Sequence, residues 1–370
     1  MMAEIHKRIA IQQRVLPSYR LPFFDALAAE CDTGLSVFAG EPRRSEGLDY
    51  GARPATAKFY PGKNIHLFDG MAYLCWQVGI MNWLREWQPD VLIMEANPRY
   101  LRSGAALNWM KARGGKVIGW GLGSPRPSGL FLQLRMDLRK RFVRSFDALV
   151  TYSQQGAEEY AALGFPPDLV FCAPNAVAPK PVQPLPERPS KFRNDRPGVV
   201  FVGRLQARKR VDTLLRACAM LPAEMQPALA IVGDGPERGR LEALAKAVYP
   251  GARFSGAQHG SDLEKIYREA DLFVLPGTGG LAVQQAMSFG LPVIVGESDG
   301  TQSDLVRDEN GWTLTEASVE GLSRLMRDAL GNLPRLRSMG AASYRIVSQE
   351  VNLENMVDAF ARAIHKVTES

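Results

Sequence analysis

Two cationic side chains near the middle of the chain have the residue types and the spacing expected of a site that binds an anionic ligand. Arg204 follows Gly203 at the end of the apolar segment Val199–Val202, and Lys209 comes five residues later. A guanidinium fork and an ammonium point charge both suit phosphate oxygens. Open parallel sheets place their ligands at the carboxyl ends of strands. The pair therefore indicates a site for a diphosphate.

A glycine run supplies a second anion-seeking feature. It lies between the apolar segment Leu272–Leu275 and the helical pattern Leu281–Phe289, and its residues are Gly277, Thr278, Gly279 and Gly280. Backbone N–H groups at a helix N-terminus attract anions, so this turn would bind the same ligand as Arg204 and Lys209. The alternative is an ordinary α/β bend with solvated charges nearby, although a cation at a helix start is unfavourable against the dipole.

Length and composition indicate an ordinary globular protein. At 370 residues the chain exceeds the usual size of one hydrophobic core, which predicts two domains. Apolar residues make up 46% and charged residues 23%, as in soluble proteins. The four cysteines lack the spacing of a metal site or redox motif and are expected to be buried thiols. With no signal-peptide core and no run long enough to cross a bilayer, the expected location is cytoplasmic.

Two series of strands alternating with helices must position the site. The strands predicted in the first series are Arg8–Gln12, Leu35–Ala39, Asn64–Phe68, Val91–Glu95, Lys116–Trp120 and Ala148–Tyr152. Those predicted in the second are Val199–Val202, Leu229–Val232, Arg253–Ser255, Leu272–Leu275 and Pro292–Val295. Such alternation is typical of parallel, doubly wound sheets. The predicted fold class is α/β, with two doubly wound Rossmann-like domains facing across a ligand cleft.

A proline-rich stretch separates the two series. Ala178–Pro189 contains five prolines and can form neither a helix nor a central strand. The predicted domains are therefore residues 1–177, a linker at 178–197, a second domain at 198–350, and a C-terminal helix at 351–370 that packs back on the first domain.

Positive charge is concentrated in one helical segment. The net charge is +6, and the basic residues of this segment are Arg135, Arg139, Lys140, Arg141 and Arg144. A basic amphipathic helix binds anionic lipid, which would place the protein peripherally at the inner face of a membrane. The alternative is the solvated face of a packed helix. The aromatic-rich segment Met71–Trp87 is either core or a surface for a lipid acceptor, and no recognisable nucleic-acid module is present.

The second half of the chain resembles the retaining GT-B glycosyltransferases of family four. The resemblance rests on an ordered run of motifs: Phe201–Leu205 with Lys209 after it, Ile231–Pro236, Ala270–Pro276, Gly280–Leu281, Ala286–Met287, Gly290–Ile294 and Asn310–Gly311. The first half is similar more loosely, through Ala148–Ser153 and Pro174–Val177. The resemblance implies a GT-B fold. It also implies transfer of a sugar from a nucleoside diphosphate to a hydroxyl of a glycan or lipid-linked acceptor, with retention of anomeric configuration.

The resemblance also implies roles for single residues. Arg204 and Lys209 would bind the donor diphosphate. The backbone amides of the glycine run would bind the distal phosphate and the sugar, and the loop after Arg253–Ser255 would bind the base. The donor-binding positions are Gly203, Ala257, Gln258, Thr278, Gly279, Gly280, Leu281 and Gln285. A UDP-sugar is favoured over a GDP-sugar on family frequency, and no metal or other cofactor is implied.

The chain departs from the family pattern at two glutamates that usually lie eight residues apart. Gly277 and Gln285 stand in their places. Gln285 still offers a hydrogen-bond donor and acceptor to a ribose diol, whereas Gly277 offers no side chain. A histidine common near the reacting carbon is also missing, and Gly121 lies in that region.

Other carboxylate and basic groups would then serve the acceptor. Glu95 closes a strand and would orient the acceptor hydroxyl or assist a proton transfer, unless it caps a following helix. The acceptor-side candidates are Arg20 and Arg126. The catalytic candidates are Arg204, Lys209 and Glu95. The two cations are included because the leaving phosphate itself is expected to accept the acceptor proton, so that stabilising its charge matters most.

Two other functions remain open. A GT-B-fold sugar epimerase or phosphorylase would share this architecture, since fold does not determine chemistry; an epimerase, however, needs more acid and base groups than this chain shows. A non-catalytic nucleotide-sugar-binding subunit would keep the phosphate site and lose the chemistry. The glycines at Gly277 and Gly121 are consistent with that alternative.

Overall fold

The computed structural model of the protein describes residues 4–43, 46, 50–68, 70, 73–123, 132–277, 281–296 and 305–369, with the backbone alone at 132–135 and 281. The chain divides into two compact units. One is Met1–Val177 together with Leu353–Ser370, and the other is Ala178–Asn352.

The first unit begins with strands β1 (Ile9–Val15), β2 (Leu35–Gly40), β3 (Lys58–Pro61), β4 (Lys63–Leu67), β5 (Leu74–Val78), β6 (Val91–Glu95), β7 (Lys116–Gly121), β8 (Ala148–Thr151) and β9 (Val170–Cys172). Its helices before the second unit are α1 (Leu21–Ala29), α2 (Ile80–Trp87), α3 (Ser103–Ala112), α4 (Leu132–Val143) and α5 (Gln154–Ala162). The second unit contains strands β10 (Gly198–Val202), β11 (Ala228–Val232), β12 (Arg253–Phe254), β13 (Leu272–Leu275), β14 (Val293–Gly296) and β15 (Gly311–Leu314). Its helices are α6 (Val211–Ala219), α7 (Arg238–Val248), α8 (Gly260–Glu269), α9 (Leu281–Ser288), α10 (Val319–Leu330) and α11 (Leu333–Gln349), and α12 (Leu353–Thr368) belongs again to the first unit.

Both units are built on parallel sheets, which confirms the predicted fold class. The strand order is β3-β2-β1-β6-β7-β8-β9 in the first unit and β12-β11-β10-β13-β14-β15 in the second, and every neighbouring pair is parallel. Helices cover both faces of such sheets, so their central strands are apolar throughout. The segments Val91–Met94 and Leu272–Leu275 are buried at every position.

The segment predicted as a strand at Asn64–Phe68 was assigned to the wrong sheet. The strand β4 pairs antiparallel with β5 in a separate two-stranded sheet, and β3 occupies the edge of the parallel sheet instead. The strands β3, β5, β9 and β15 were not predicted. They are short or half-exposed, so their sequences lack the continuous apolar run that marks a buried parallel strand.

The proline-rich segment packs against the second unit. Its residue Arg188 is largely buried and donates hydrogen bonds to the carbonyl oxygens of Ala270, Tyr267 and Phe289. Burial lowers the pKa of Arg188 to about 10. Tyr344 adds a hydrogen bond from its hydroxyl to the carbonyl oxygen of Gln183, at 2.7 Å. The segment 178–197 therefore packs on the surface of the second unit in addition to linking the chain to it.

The last helix completes the core of the first unit. Phe360 on α12 contacts Phe23 of α1 and Trp120 of β7, with ring centroids 4.8 and 4.7 Å apart. All three side chains are buried. Because aromatic side chains bury large apolar areas, they dominate the energetics of a core. Without α12 this face of the first sheet would be open to water.

Candidate functional site

The loops at the carboxyl edge of the second sheet are joined by backbone hydrogen bonds. The Gly203 nitrogen after β10 donates to the carbonyl oxygen of Val232 at 2.9 Å, and Leu205 donates to Asp234 at 2.9 Å. The Gly233 nitrogen after β11 donates to the Gly256 oxygen at 2.7 Å. Three successive loops are thus held in one arrangement at the edge where parallel sheets bind ligands.

The cations predicted to bind a diphosphate lie in the first of these loops. Arg204 follows β10 and is exposed, and it makes no hydrogen bond or ion pair with the residues that the structure describes. Lys209 ends the short 3₁₀ turn Ala207–Lys209 and is half-buried. Burial, followed by the charge of Arg208, lowers the Lys209 pKa to about 8. An ammonium kept in these surroundings gains from an incoming anion.

Gly277 allows the loop after β13 to approach this turn closely. A Cβ atom placed on Gly277 would lie 2.0 Å from the Arg208 carbonyl oxygen and 2.6 Å from the Lys209 Cα. Backbone atoms cannot yield as a flexible side chain can, so no side chain fits here. The place where the resembling enzymes carry a glutamate is therefore filled by the backbone of Arg208 and Lys209.

The predicted base-binding loop follows β12 at the same edge. Ala257 is exposed, and the Gln258 side-chain amide donates to the carbonyl oxygen of Ser255 at 2.6 Å. Gln285 lies on α9, where its side-chain oxygen accepts a hydrogen bond from the buried Tyr267 hydroxyl at 3.5 Å. The structure thus places Gln285 on the helix that follows the glycine turn.

Several predicted site residues lie outside the described residues. They are Thr278, Gly279, Gly280 and Arg126. Leu281 is described only as the first residue of α9. The roles expected of these residues remain predictions.

Glu95, the predicted acceptor-side carboxylate, supports an irregularity of β1. The register between β1 and β2 shifts between Gln13 and Val15, which leaves Arg14 at a bulge. The Arg14 nitrogen donates to the Glu95 carboxylate at 2.8 Å, and Tyr100 also hydrogen-bonds to that carboxylate. Burial raises the Glu95 pKa. The carboxylate therefore satisfies an N–H group that the bulge leaves without a ladder partner.

Arg20 is a buried cation held among aromatic rings. Its side chain is only 7% exposed, and the guanidinium lies 5.3 Å from the ring centroids of both Trp120 and Tyr152. Its Nη1 atom has no hydrogen-bond partner within the described ranges. Such cation–π contacts offset part of the cost of burying a charge. The acceptor-side role of Arg20 remains a prediction.

Gly121, at the end of β7, borders a buried hydroxyl. A Cβ atom at this position would lie 2.5 Å from the Tyr160 oxygen. A larger residue such as histidine would have to displace that side chain. At both Gly121 and Gly277, a glycine stands where the family pattern has a larger residue, and other atoms of the protein occupy the space that its side chain would need.

Sequence reasoning missed a buried amide network at the carboxyl end of β1. Gln12 and Gln13 are buried. The Gln77 amide donates to the Gln13 carbonyl oxygen at 3.0 Å, and the Gln12 side chain hydrogen-bonds to Gln77. The only signal in the sequence was a pair of glutamines in a strand whose other residues, apart from Arg14, are apolar. Buried amides require such partners.

The basic helical segment only partly matches the predicted lipid-facing helix. Leu138 is exposed, but Val143 and Phe146 pack into the core of the first unit. Arg141 and Arg144 are exposed, and Arg139 and Lys140 are half-buried. The side chain of Arg135 lies outside the described residues. No helix in the described part of the chain has the length and hydropathy needed to span a bilayer.

Part of the chain matches a family of known proteins. The model of the family described as glycosyl transferases group 1 matches residues 185–346. A GDP-mannose-dependent alpha-mannosyltransferase of Mycobacterium tuberculosis is 35% identical over 153 residues, which is 40% of this chain and 38% of that protein. The sulfoquinovosyl transferase SQD2 of Arabidopsis thaliana is 34% identical over 129 residues, or 34% of this chain and 24% of the relative. The chain therefore spans less than two fifths of the length of these curated relatives.

A solved structure extends the likeness to both units. The structure of Anabaena HepE in complex with UDP covers 97% of this chain and 99% of its own, with 14% sequence identity and a TM-score of 0.67. At this identity the likeness establishes the fold. Residues 185–346 therefore match the glycosyl transferases group 1 family, and the chain has the GT-B fold.

Proposed function

We propose that the protein is a glycosyltransferase that moves a sugar from a nucleoside diphosphate to a hydroxyl of a glycan or lipid-linked acceptor, with retention of anomeric configuration. The observation that carries the proposal is the pair Arg204 and Lys209 at the carboxyl edge of the second sheet. Arg204 forms no salt bridge with a described carboxylate, and the Lys209 ammonium beside it is partly desolvated. A diphosphate would pair with the Arg204 guanidinium and stabilise the desolvated ammonium.

The chemical step follows from that charge arrangement. The bond between the anomeric carbon and the donor phosphate oxygen breaks while the acceptor oxygen bonds to the same face of that carbon. The acceptor proton passes to the departing phosphate oxygen, so the protein needs no separate base. Arg204 and Lys209 stabilise the negative charge that develops on the diphosphate, which is the kind of preorganised electrostatic contribution that dominates many enzymes.

We propose a UDP-sugar as the donor, with a GDP-sugar as the next candidate. The HepE structure contains UDP, whereas the mycobacterial relative is named as GDP-mannose-dependent. Thermal unfolding of the full chain with UDP-, GDP- and ADP-sugars compares the three, because a ligand that binds the folded state raises the unfolding temperature by mass action. The proposal predicts that one nucleotide class raises it and that its sugar is slowly transferred or hydrolysed. If none of the three classes raises it, the proposal is wrong.

A non-catalytic binding subunit is the second candidate, and the geometry at Gly277 favours it. The position that would face the donor sugar carries no side chain and has no room for one. Nucleotide binding without any transfer or hydrolysis in the same panel would support the subunit. Product formation would support the enzyme.

Nucleotide binding should weaken as the pH rises above about 8. The pKa of Lys209 is lowered to about 8, and a bound diphosphate would restore the ammonium by raising that pKa again. Below about pH 8 the ammonium is already present; above it, binding must first take up a proton. We therefore expect the dissociation constant for UDP to increase about tenfold between roughly pH 7 and pH 9.

Calorimetric titration with UDP at the two pH values measures this dependence. The matched control is Lys209→Arg, whose guanidinium stays charged throughout. Its affinity should change much less with pH. An equal pH dependence in the wild type and in this variant would show that Lys209 is not the titrating group.

A further inference from the structure

The hairpin of β4 and β5 turns its apolar side chains outward. Ile65 lies opposite Trp76, and Lys63 lies opposite Val78, so all four share one face. The exposed fractions are 43% for Ile65, 37% for Leu67, 37% for Trp76 and 42% for Val78. An antiparallel sheet with one face in water usually turns its polar side chains to that side. This hairpin reverses the usual arrangement.

The opposite face of the hairpin is polar and attaches it to β1. The buried Gln77 amide donates to the Gln13 carbonyl oxygen at 3.0 Å and to the Asn64 side-chain oxygen at 3.1 Å. The Asn64 amide in turn donates to the Arg14 carbonyl oxygen at 2.7 Å. A shift of one residue that hid the apolar side chains would break these hydrogen bonds. The outward apolar face is thus fixed by the fold.

Basic side chains border this face. The Arg102 guanidinium lies 4.3 Å from the Trp76 ring centroid. Beside Trp76 and Val78 there is a groove of about 290 Å³, whose described lining contains Arg85 and Arg102 and no carboxylate. Lys63 is exposed on the face itself. Exposed apolar side chains of this extent mark an interaction site, and the charge around them selects an anionic partner.

We propose that this outer hairpin face docks on an anionic lipid bilayer. The face consists of Ile65, Leu67, Trp76 and Val78. The apolar side chains would enter the boundary between headgroups and acyl chains, and Arg85 and Arg102 would bind lipid phosphate groups. Tryptophan suits that boundary because its ring is apolar and its N–H is polar.

A second copy of the chain is a poorer occupant. A two-fold symmetric interface sets the same patch against itself. The cations Lys63, Arg85 and Arg102 would then come close to their own copies, and repulsion between like charges opposes such a contact. A bilayer containing acidic lipid has the opposite charge.

Co-sedimentation of the full chain with vesicles tests the proposal, and it needs no donor or acceptor. The vesicles consist of phosphatidylcholine alone or with about 30% phosphatidylglycerol. We expect binding to the anionic vesicles that weakens with added salt. The double variant Ile65→Ser/Trp76→Ser should lower the partition coefficient at least about tenfold, because it removes two inserted side chains. Arg85→Gln/Arg102→Gln should lower it about tenfold.

Matched variants on α4 separate this hairpin from the basic helix. Leu138 is 57% exposed there, and Arg141 and Arg144 are exposed as well. Leu138→Ser and Arg141→Gln/Arg144→Gln should leave the partition coefficient unchanged. A loss equal to that of the hairpin variants would overturn the proposal.

Three further measurements test folding, insertion into the bilayer and self-association. Thermal unfolding and near-UV circular dichroism check that the hairpin variants fold. Quenching of tryptophan fluorescence by lipids brominated in the acyl chain should drop in Trp76→Phe, which keeps an apolar ring in place. Sedimentation velocity without lipid tests the second copy. Absence of wild-type binding to anionic vesicles, or a dimer that Ile65→Ser/Trp76→Ser dissociates, would contradict the proposal.

Discussion

Replacing Arg204 or Lys209 with alanine should lower kcat by roughly two to three orders of magnitude, as losing one preorganised donor does in other enzymes. Both cations lie in the loop after β10, in the segment that matches the glycosyl transferases group 1 family. In the proposed step they stabilise charge that appears on the diphosphate only as the sugar leaves. Steady-state kinetics measures the decrease in kcat, with the donor sugar nucleotide that raises the unfolding temperature in the thermal unfolding experiment.

Conservative and distant variants show whether this loss is specific. Arg204→Lys should recover only part of the rate, since a lysine cannot form two parallel hydrogen bonds to phosphate. Arg216→Ala, on the exposed face of α6, is the matched control and should keep normal kinetics. Near-normal turnover in both Arg204→Ala and Lys209→Ala would reject their assignment.

Substituting Gly277 should have the second large effect. Gly277→Ala places a Cβ atom against the Arg208 and Lys209 backbone, at distances that require the turn to move. We expect a loss of about 1–3 kcal/mol in the free energy of unfolding, as in other overpacked sites. Donor affinity should fall about tenfold or more, because displacing Lys209 by even a small distance weakens its contact with phosphate. Urea unfolding and calorimetric titration measure the two quantities.

Gly239→Ala is the matched control for this substitution. Gly239 lies in α7, and a Cβ atom there would meet nothing within 4 Å. Alanine is the better helix former, so this variant should be as stable as the wild type or more stable by up to about 1 kcal/mol. The variant Gly277→Glu introduces the glutamate that the resembling enzymes carry at this position. A gain in turnover from it would contradict the steric argument.

The central strands were predictable from the sequence because both of their faces are buried. Continuous apolar runs such as Val91–Met94 and Leu272–Leu275 leave little ambiguity. The hairpin at β4 and β5 was not predictable in the same way. Its alternation of apolar and polar residues is that of a half-buried strand, and the pattern alone does not reveal which face is turned to water.

The candidate site was predictable where it depends on residue type and position along a strand. Arg204 lies just after β10 and Lys209 in the 3₁₀ turn that follows, and their binding roles remain predictions. The contact between Gly277 and the Arg208 carbonyl oxygen joins segments almost seventy positions apart in the printed sequence, and nothing in either segment predicts it. Likewise, the hydrogen bond from Arg14 to Glu95 depends on a bulge, and the sequence of β1 gives no sign of one.

The return of α12 to the first unit affects the order in which the protein folds on the ribosome. Phe360 lies against Phe23 and Trp120, so the unit whose synthesis begins first must wait for α12 before its aromatic cluster is sealed. The second unit has all its strands and helices by Asn352. Because domains fold as they emerge, we expect the second unit to fold before the first, which carries an unsealed hydrophobic surface that chaperones would recognise until α12 is synthesised.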